Sequence, residues 1–174
     1  GSQGNSANGN SQISGDGRYA AYGTVASNIV PNDMNDTYDI AVGFVKFTGT
    51  DRLAVEEGPE AVALALDEVV RNVSSATDEF GVTFFETDLD ADGGKVMLAA
   101  GVPISAGHHA ERMLRATRLM IERAGRLPLK IGVNYGHVFA GDFGPPFRRT
   151  YSIKGDPINL AARVMGKAAP GTLL

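Results

Sequence analysis

The sequence predicts an α+β domain: an antiparallel-rich sheet with helices packed on one of its faces. Two observations predict it. Apolar runs of strand length alternate with stretches of helical periodicity, in the order strand, helix, hairpin, helix, hairpin, strand, helix. The chain has 174 residues, 43% of them hydrophobic, which suits one domain with one core.

The first 19 residues, GSQGNSANGNSQISGDGRY, carry one large apolar residue, Ile13, before Tyr19. Such a stretch cannot bury enough surface to offset its ordering entropy, so residues 1–19 are expected to be a disordered tag or linker. The domain is expected to span 20–174, with its core from about Asp39. Asp39 to Phe47 is a mostly apolar run ending in Thr48-Gly49-Thr50 and reads as a buried strand. After Gly58-Pro59, the residues Val62, Leu66, Val69, Val70 and Val73 line one face of a helix whose first turn suits Pro59. Gly81–Phe85 and Lys95–Ala100 read as strands joined by a long acidic, Gly-rich stretch, Thr87–Gly94. Ala110, Met113, Leu114, Thr117 and Ile121 mark a second amphipathic helix, with Glu111, Arg112, Arg115 and Glu122 on its wet side. Leu129–Asn134 and His137–Ala140 read as a hairpin turned at Tyr135-Gly136, and Arg148–Lys154 as a further strand. Gly155-Asp156-Pro157 opens a third helix, with Asp156 as N-cap and Pro157 in the first turn.

A net charge of -4 argues against a nucleic-acid partner, which a basic surface would serve. The absence of cysteine excludes disulfides and thiolate metal sites and fits a cytoplasmic setting. No apolar run approaches the ~18 residues of a membrane span, and no signal peptide is visible.

The segment Lys130-Ile-Gly-Val-Asn-Tyr-Gly-His-Val-Phe-Ala-Gly-Asp-Phe-Gly144, followed by Tyr151-Ser-Ile-Lys-Gly-Asp-Pro-Ile-Asn-Leu-Ala-Ala-Arg163, resembles the class III adenylyl/guanylyl cyclase homology domain. In that family Ala-Gly-x-x-Gly precedes a strand, and Gly-Asp-x-Val-Asn-x-Ala-Ala-Arg opens the next helix. Phe44-Val-Lys-Phe-Thr-Gly49 is a weaker match to the family's first-strand motif, Asp-Ile-x-Gly-Phe-Thr. The resemblance implies a ferredoxin-like nucleotide cyclase fold, truncated here at the C-terminus, because family members continue into further strands beyond Pro170-Gly-Thr-Leu-Leu174.

The same resemblance implies a chemistry. The ribose 3′-hydroxyl attacks the α-phosphate and expels pyrophosphate, and catalysis is positioning and charge neutralisation. Two aspartates hold two metal ions, an asparagine orients the ribose, an arginine stabilises the α-phosphate, and a lysine with an Asp or Thr reads the purine. Two head-to-tail domains share each site. Asn159 and Arg163 match the asparagine and arginine, and their i, i+4 spacing puts them on one helix face. Ser152, seven residues before Asn159, falls where the family reads the purine, although a plain strand serine is the alternative.

The departures point the other way. Lys46 replaces the first metal aspartate, and an ammonium offers donors only. Counting back from Gly101 puts Gly94 at the second aspartate, and the purine-reading lysine falls near Phe85 or Glu86. This pattern resembles the second half of tandem cyclases such as soluble adenylyl cyclase, in which one half brings metals and the other the asparagine and arginine.

Asp88, Asp90 and Asp92 stand at alternate positions before Gly93, like the start of a calcium loop, but Ala99 occupies the twelfth position where such a loop needs Glu. An acidic hairpin tip is the competing reading. His108, His109 and His137 lack a spaced ligand cluster, and Arg148 and Arg149 beside Pro145-Pro146 are candidates for holding phosphates.

The expected function is therefore a cyclase domain that makes a cyclic nucleotide, cAMP from ATP, jointly with a complementary domain in the same or another polypeptide, and is inactive alone. Mg or Mn would come from the partner's carboxylates, and GTP stays open as the substrate. The alternatives are a pseudocyclase that dimerises, as a homodimer or otherwise, without turnover, and a metal-responsive module built on Asp88–Asp92.

Overall fold

The computed structural model describes residues 8–13, 20–24 and 36–174. Strands β1 (Asn8–Ile13) and β2 (Ala20–Thr24) pair antiparallel. The expected linker at 1–19 therefore lies largely outside the described residues, and the part of it that is described is β1. Beyond this pair the elements are β3 (Asp36–Thr48), α1 (Thr50–Glu57), α2 (Pro59–Phe80), β4 (Thr83–Asp90), β5 (Gly93–Ala100), α3 (His109–Glu122), β6 (Leu129–Phe143), β7 (Thr150–Lys154), α4 (Asp156–Lys167) and β8 (Thr172–Leu173). The chain divides into a larger unit, Asp39–Gly136 with Asp156–Leu174, and a smaller one that contains His137–Gly155.

In the larger unit the strands run β4-β5-β3-β6, and β8 adds to β6 in parallel. β3 is central because its sequence allows nothing else: Ile40, Ala41, Val42 and Val45 are fully buried, so both of its faces need cover. One face carries Ala41, Val45 and Phe47 with Val96, Leu98 and Ala100 of β5, and packs on α2 and α3. Gly43 lies on this face, where a side-chain carbon would come within 2.9 Å of Met113 Sδ on α3.

The helices are placed by small residues as much as by large ones. The buried stripe of α2 is Ala61, Ala65, Val69, Val73, Ala76 and Thr77, while Val70 is exposed. The periodicity of the large apolar residues thus located the helix and its core face, since Val62 and Leu66 also pack against the core; of the five expected residues only Val70 turns outward. On α3 the buried residues are Met113, Ala116, Thr117 and Met120. Arg112, expected on the wet side, instead turns onto the end of α2. Its Nε donates to the Phe80 carbonyl at 2.7 Å and a terminal nitrogen donates to that of Gly81, so a cation serves carbonyls left open at a helix C-terminus.

Two local expectations need correction, and one helix gave no signal. Helix α1 went unseen because it buries a single large residue, Leu53. The β4–β5 connection is tight, not long: β4 continues through Asp90, which pairs with Gly93 across the two-residue turn Ala91-Asp92. Finally, Leu129–Phe143 is one uninterrupted strand with no turn at Tyr135-Gly136.

The glycines of β6 serve packing instead of turning. A side-chain carbon on Gly132 would lie 2.1 Å from the Met165 amide nitrogen and 2.6 Å from the Ala161 carbonyl oxygen; on Gly136 it would lie 2.8 Å from Pro157 Cγ. The glycines four residues apart thus let α4 lie directly on the strand backbone. Ile131 and Val133, flanking Gly132, point the other way into the core under α2 and α3.

In the smaller unit the end of β6 pairs with β7, matching Gly141 to Ser152 and Asp142 to Tyr151. Phe139 and Phe143 meet edge to face at 5.5 Å, and the Lys154 ammonium lies 5.8 Å over the Phe143 ring. Burial first, and the Asp142 carboxylate second, push the Tyr151 phenol above its usual range.

This packing predicts opposite outcomes for two glycines near α4. Gly132→Ala forces backbone against backbone and should destabilise the domain by ~1–3 kcal/mol. Gly166→Ala, in α4 with open space around it, should be neutral or stabilise by up to ~1 kcal/mol. Urea unfolding of both variants checks this; equal effects would sink the account of α4 placement.

Candidate active site

Two groups of sequence-predicted residues come together in the larger unit. The first gathers where β3 ends against the β4–β5 hairpin. Lys46 is in register with Lys95 of β5, and Lys95 with Asp88 of β4, so these three side chains share the face turned away from α2 and α3. Asp90, two residues on from Asp88, lies on that face too. The Lys46 ammonium is ion-paired to Asp90, whose carboxyl it holds below the usual carboxylate range, chiefly through their hydrogen bond. Lys95 pairs with Asp88 at 3.1 Å.

Asp92, in the turn, reaches across to the start of α1. Its Oδ1 accepts the amides of Gly49 at 3.1 Å and Asp51 at 3.2 Å, and its carbonyl accepts Gly49 N–H at 3.0 Å. Gly49 has no side chain with which to cap the helix, so the hairpin supplies the cap. No sequence pattern signals this role, because donor and acceptor are about 40 residues apart.

The residues at the two positions expected for the family's metal aspartates do not suit a metal ion. Lys46 is a cation at one of them. At the other, a side-chain carbon on Gly94 would lie 2.6 Å from the Asp88 carbonyl oxygen and 2.7 Å from Phe47 Cζ, so this backbone leaves no room for an aspartate. Nor do Asp88, Asp90 and Asp92 form a calcium loop; they make the acidic hairpin tip that was the other reading. Asp88 and Asp90 are tied to lysines and Asp92 to backbone amides, and among the described residues no group of three or more His, Cys, Asp or Glu could hold a metal.

Beside this corner Phe44, Glu86, Thr87, Asp88, Lys95 and Met97 line an open groove of about 240 Å³. Glu86, one of the two positions expected for the purine-reading lysine, is in that lining, while Phe85 falls at the irregularity in β4 pairing between Phe84 and Glu86. The groove therefore carries a carboxylate, Glu86, beside Asp88 and Lys95.

The second group is on α4. Ala161, fully buried, faces β6, and Asn159 and Arg163 are exposed one turn apart. The start of the helix is held by Asn134 of β6, whose Nδ2 donates to the Pro157 carbonyl at 3.2 Å. Asn134, Gly132 and Gly136 are thus the positioning residues that sequence reasoning missed; the Gly-x-x-x-Gly spacing was their signal. Ser152 is half-buried on β7 in the smaller unit. Arg148 and Arg149 are exposed in the loop before β7, where Arg148 N–H closes a turn onto the Pro145 carbonyl at 2.9 Å. Of the histidines, His109 is structural: Nδ1 is 3.0 Å from the Asp39 carbonyl and Nε2 3.0 Å from Ser105 Oγ. His108 stands 3.7 Å from Glu111, and His137 is on β6.

Among the described residues no helix is long and apolar enough to cross a membrane. Comparison with known proteins gives a consistent picture. The uncharacterised protein Rv1318c of Mycobacterium tuberculosis is 29% identical over 143 residues, covering 78% of this chain and 25% of that protein. A second uncharacterised M. tuberculosis protein, Rv2212, is 34% identical over 91 residues, 48% of this chain and 21% of that protein. The chain thus spans about a quarter of the length of these relatives. Among solved structures, the non-canonical dimeric guanylyl cyclase domain of the RhoGC fusion protein from Blastocladiella emersonii superposes with a TM-score of 0.66 at 21% identity, covering 79% of each chain. The adenylyl cyclase CyaB of P. aeruginosa gives 0.61 at 21% identity, over 80% of this chain and 76% of that one. The guanylate cyclase domain of Catenaria anguillulae, solved with GTP, gives 0.64 at 20% identity, over 79% and 78%. The model of the adenylate and guanylate cyclase catalytic domain matches residues 32–173, and with that fold and that match the chain belongs to the adenylate and guanylate cyclase catalytic domain family.

Proposed function

We propose that this domain is one half of a nucleotidyl cyclase: it joins a complementary cyclase domain and contributes Asn159 and Arg163 to a shared site. The observation that carries the reading is a contrast. Lys46 and Gly94 stand where the resemblance puts the metal aspartates and neither suits a cation, whereas Asn159 and Arg163 are exposed one turn apart on α4. The metal-holding carboxylates belong to the partner domain in this scheme. The solved Catenaria domain is a GTP complex, which supports nucleoside-triphosphate binding.

In the proposed reaction a bond forms between the ribose 3′-oxygen and the α-phosphorus, and the bond from that phosphorus to the pyrophosphate oxygen breaks. Charge grows on the α-phosphate oxygens, where the Arg163 guanidinium neutralises it in a fork geometry that a lysine cannot reproduce. Asn159 hydrogen-bonds the ribose and aligns its hydroxyl for in-line attack. Ser152 reads the purine, with ATP the favoured substrate and GTP the alternative that a nucleotide assay separates. The domain would extend over 20–174, in a cytoplasmic signalling protein. Without a complementary partner the chain is a pseudocyclase, a reading that the Lys46–Asp90 pair favours for a homodimer, since both of its sites would then carry the lysine.

Two outcomes follow. The purified domain alone should form no cyclic nucleotide above background from ATP or GTP with magnesium or manganese; robust turnover would show that it has metal ligands of its own. Paired with a cyclase domain that keeps both aspartates, it should become active, and Arg163→Ala should then lower kcat by a few hundred-fold, about 3 to 4 kcal/mol. Circular dichroism and dimerisation should be unchanged, and Asn159→Ala should act similarly. An active pair indifferent to Arg163→Ala would refute the assignment.

A further inference from the structure

We propose that Lys46 is a tethered replacement for a metal ion: its ammonium neutralises the β4–β5 hairpin at the end of β3, so that this half of the molecule needs no divalent cation. The proposal rests on the family reading in one respect, the equivalence of Lys46 with the first metal aspartate. The rest comes from the geometry. Three carboxylates, Asp88, Asp90 and Asp92, crowd one hairpin, and Asp90 and Asp92 are adjacent enough for the Asp92 amide to lie 3.3 Å from Asp90 Oδ1. Such a cluster repels itself unless cations are close. Here the two cations are covalent parts of neighbouring strands, Lys46 on β3 and Lys95 on β5, each on its own carboxylate.

The two ways of supplying positive charge differ in consequence. A metal site empties when a chelator removes the ion, whereas an ammonium on β3 cannot leave. The Lys46 side chain is also only 23% exposed, against 48% for Asp90, so it lies inward of the carboxylate it serves and is shielded from exchange with solvent cations. Asp92, fastened to the first amides of α1 by Oδ1, is not available as a second ligand without uncapping that helix. The hairpin's position relative to β3 and α1 is thereby set before any nucleotide or partner arrives.

The test is thermal unfolding of the purified chain in chelator, in millimolar magnesium, manganese or calcium, and in sodium chloride matched for ionic strength. The wild-type chain should melt at the same temperature throughout. Lys46→Met keeps the length of the side chain and removes the charge, so it should melt lower in chelator by roughly 2–4 °C. It should recover part of that loss with a divalent ion but not with matched salt, because a cation bound to the folded state alone raises its stability. Lys46→Arg should stay indifferent to divalent ions, and the double variant Lys46→Met, Asp90→Asn should lose the divalent response. A divalent-specific rise in wild type overturns the proposal, as does a folded Lys46→Met that gains nothing from divalent ions. Should Lys46→Met not fold, manganese binding to the wild-type chain by electron paramagnetic resonance decides: saturable binding lost in Asp90→Asn or Asp92→Asn overturns the proposal, and its absence supports it. None of these readouts uses cyclase activity, so a silent reconstituted pair would count against the proposed function and leave this inference standing.

Discussion

The docking of the β4–β5 hairpin against the end of β3 is the constraint on which the candidate site depends. Two glycines make it sterically feasible. Gly93 has a φ of 144°, and a side-chain carbon there would sit 2.1 Å from the Phe47 carbonyl oxygen; one on Gly94 would sit 2.6 Å from the Asp88 carbonyl oxygen and 2.7 Å from Phe47 Cζ. Once the backbones are that close, the polar groups around them must find partners locally. Asp92 takes the amides at the start of α1, Lys46 takes Asp90 and Lys95 takes Asp88. The same closeness denies an aspartate to position 94. Lys46 and Gly94 are therefore parts of one packing arrangement with a matching charge.

The second determinant is the absence of side chains under α4. Helix–sheet layers are normally separated by their side chains. At Gly132 the Met165 amide approaches the strand more closely than any side chain would permit. That contact sets the depth of α4, and the Asn134–Pro157 hydrogen bond ties down its start. Asn159 and Arg163 are then exposed because Ala161 occupies the inward position between them. The display of the two polar residues follows from a glycine on another element 27 positions before Asn159.

The surface ion pairs elsewhere contribute little to the fold. Arg71–Asp67, Arg115–Glu111 and Arg118–Glu122 are i, i+4 pairs on exposed helix faces and add only a few tenths of a kcal/mol each, ~0.3–0.5. The Lys46–Asp90 pair differs in kind, because it joins separate strands 44 residues apart in a crowded acidic hairpin.

Much was legible in the sequence. Strong local signals located β3, α2, β5, α3, β7 and α4: unbroken apolar runs, helical periodicity, and glycine and proline at their boundaries. Two linked motifs pointed to the family that the whole-domain match bears out. Helix α1 escaped because one buried leucine makes no period, and Tyr135-Gly136 misled because a glycine that opens space for a helix is identical in sequence to one that turns a strand. Lys46, Gly94 and the three aspartates were visible as residue types, and their donor and acceptor chemistry followed from type alone. Which carboxylate each lysine would meet, and that Asp92 would cap α1, depended on strands and turns brought together over some 40 residues. Local sequence encodes conformation within a few residues, whereas ion pairs between strands are decided by register, and only the folded sheet sets that register.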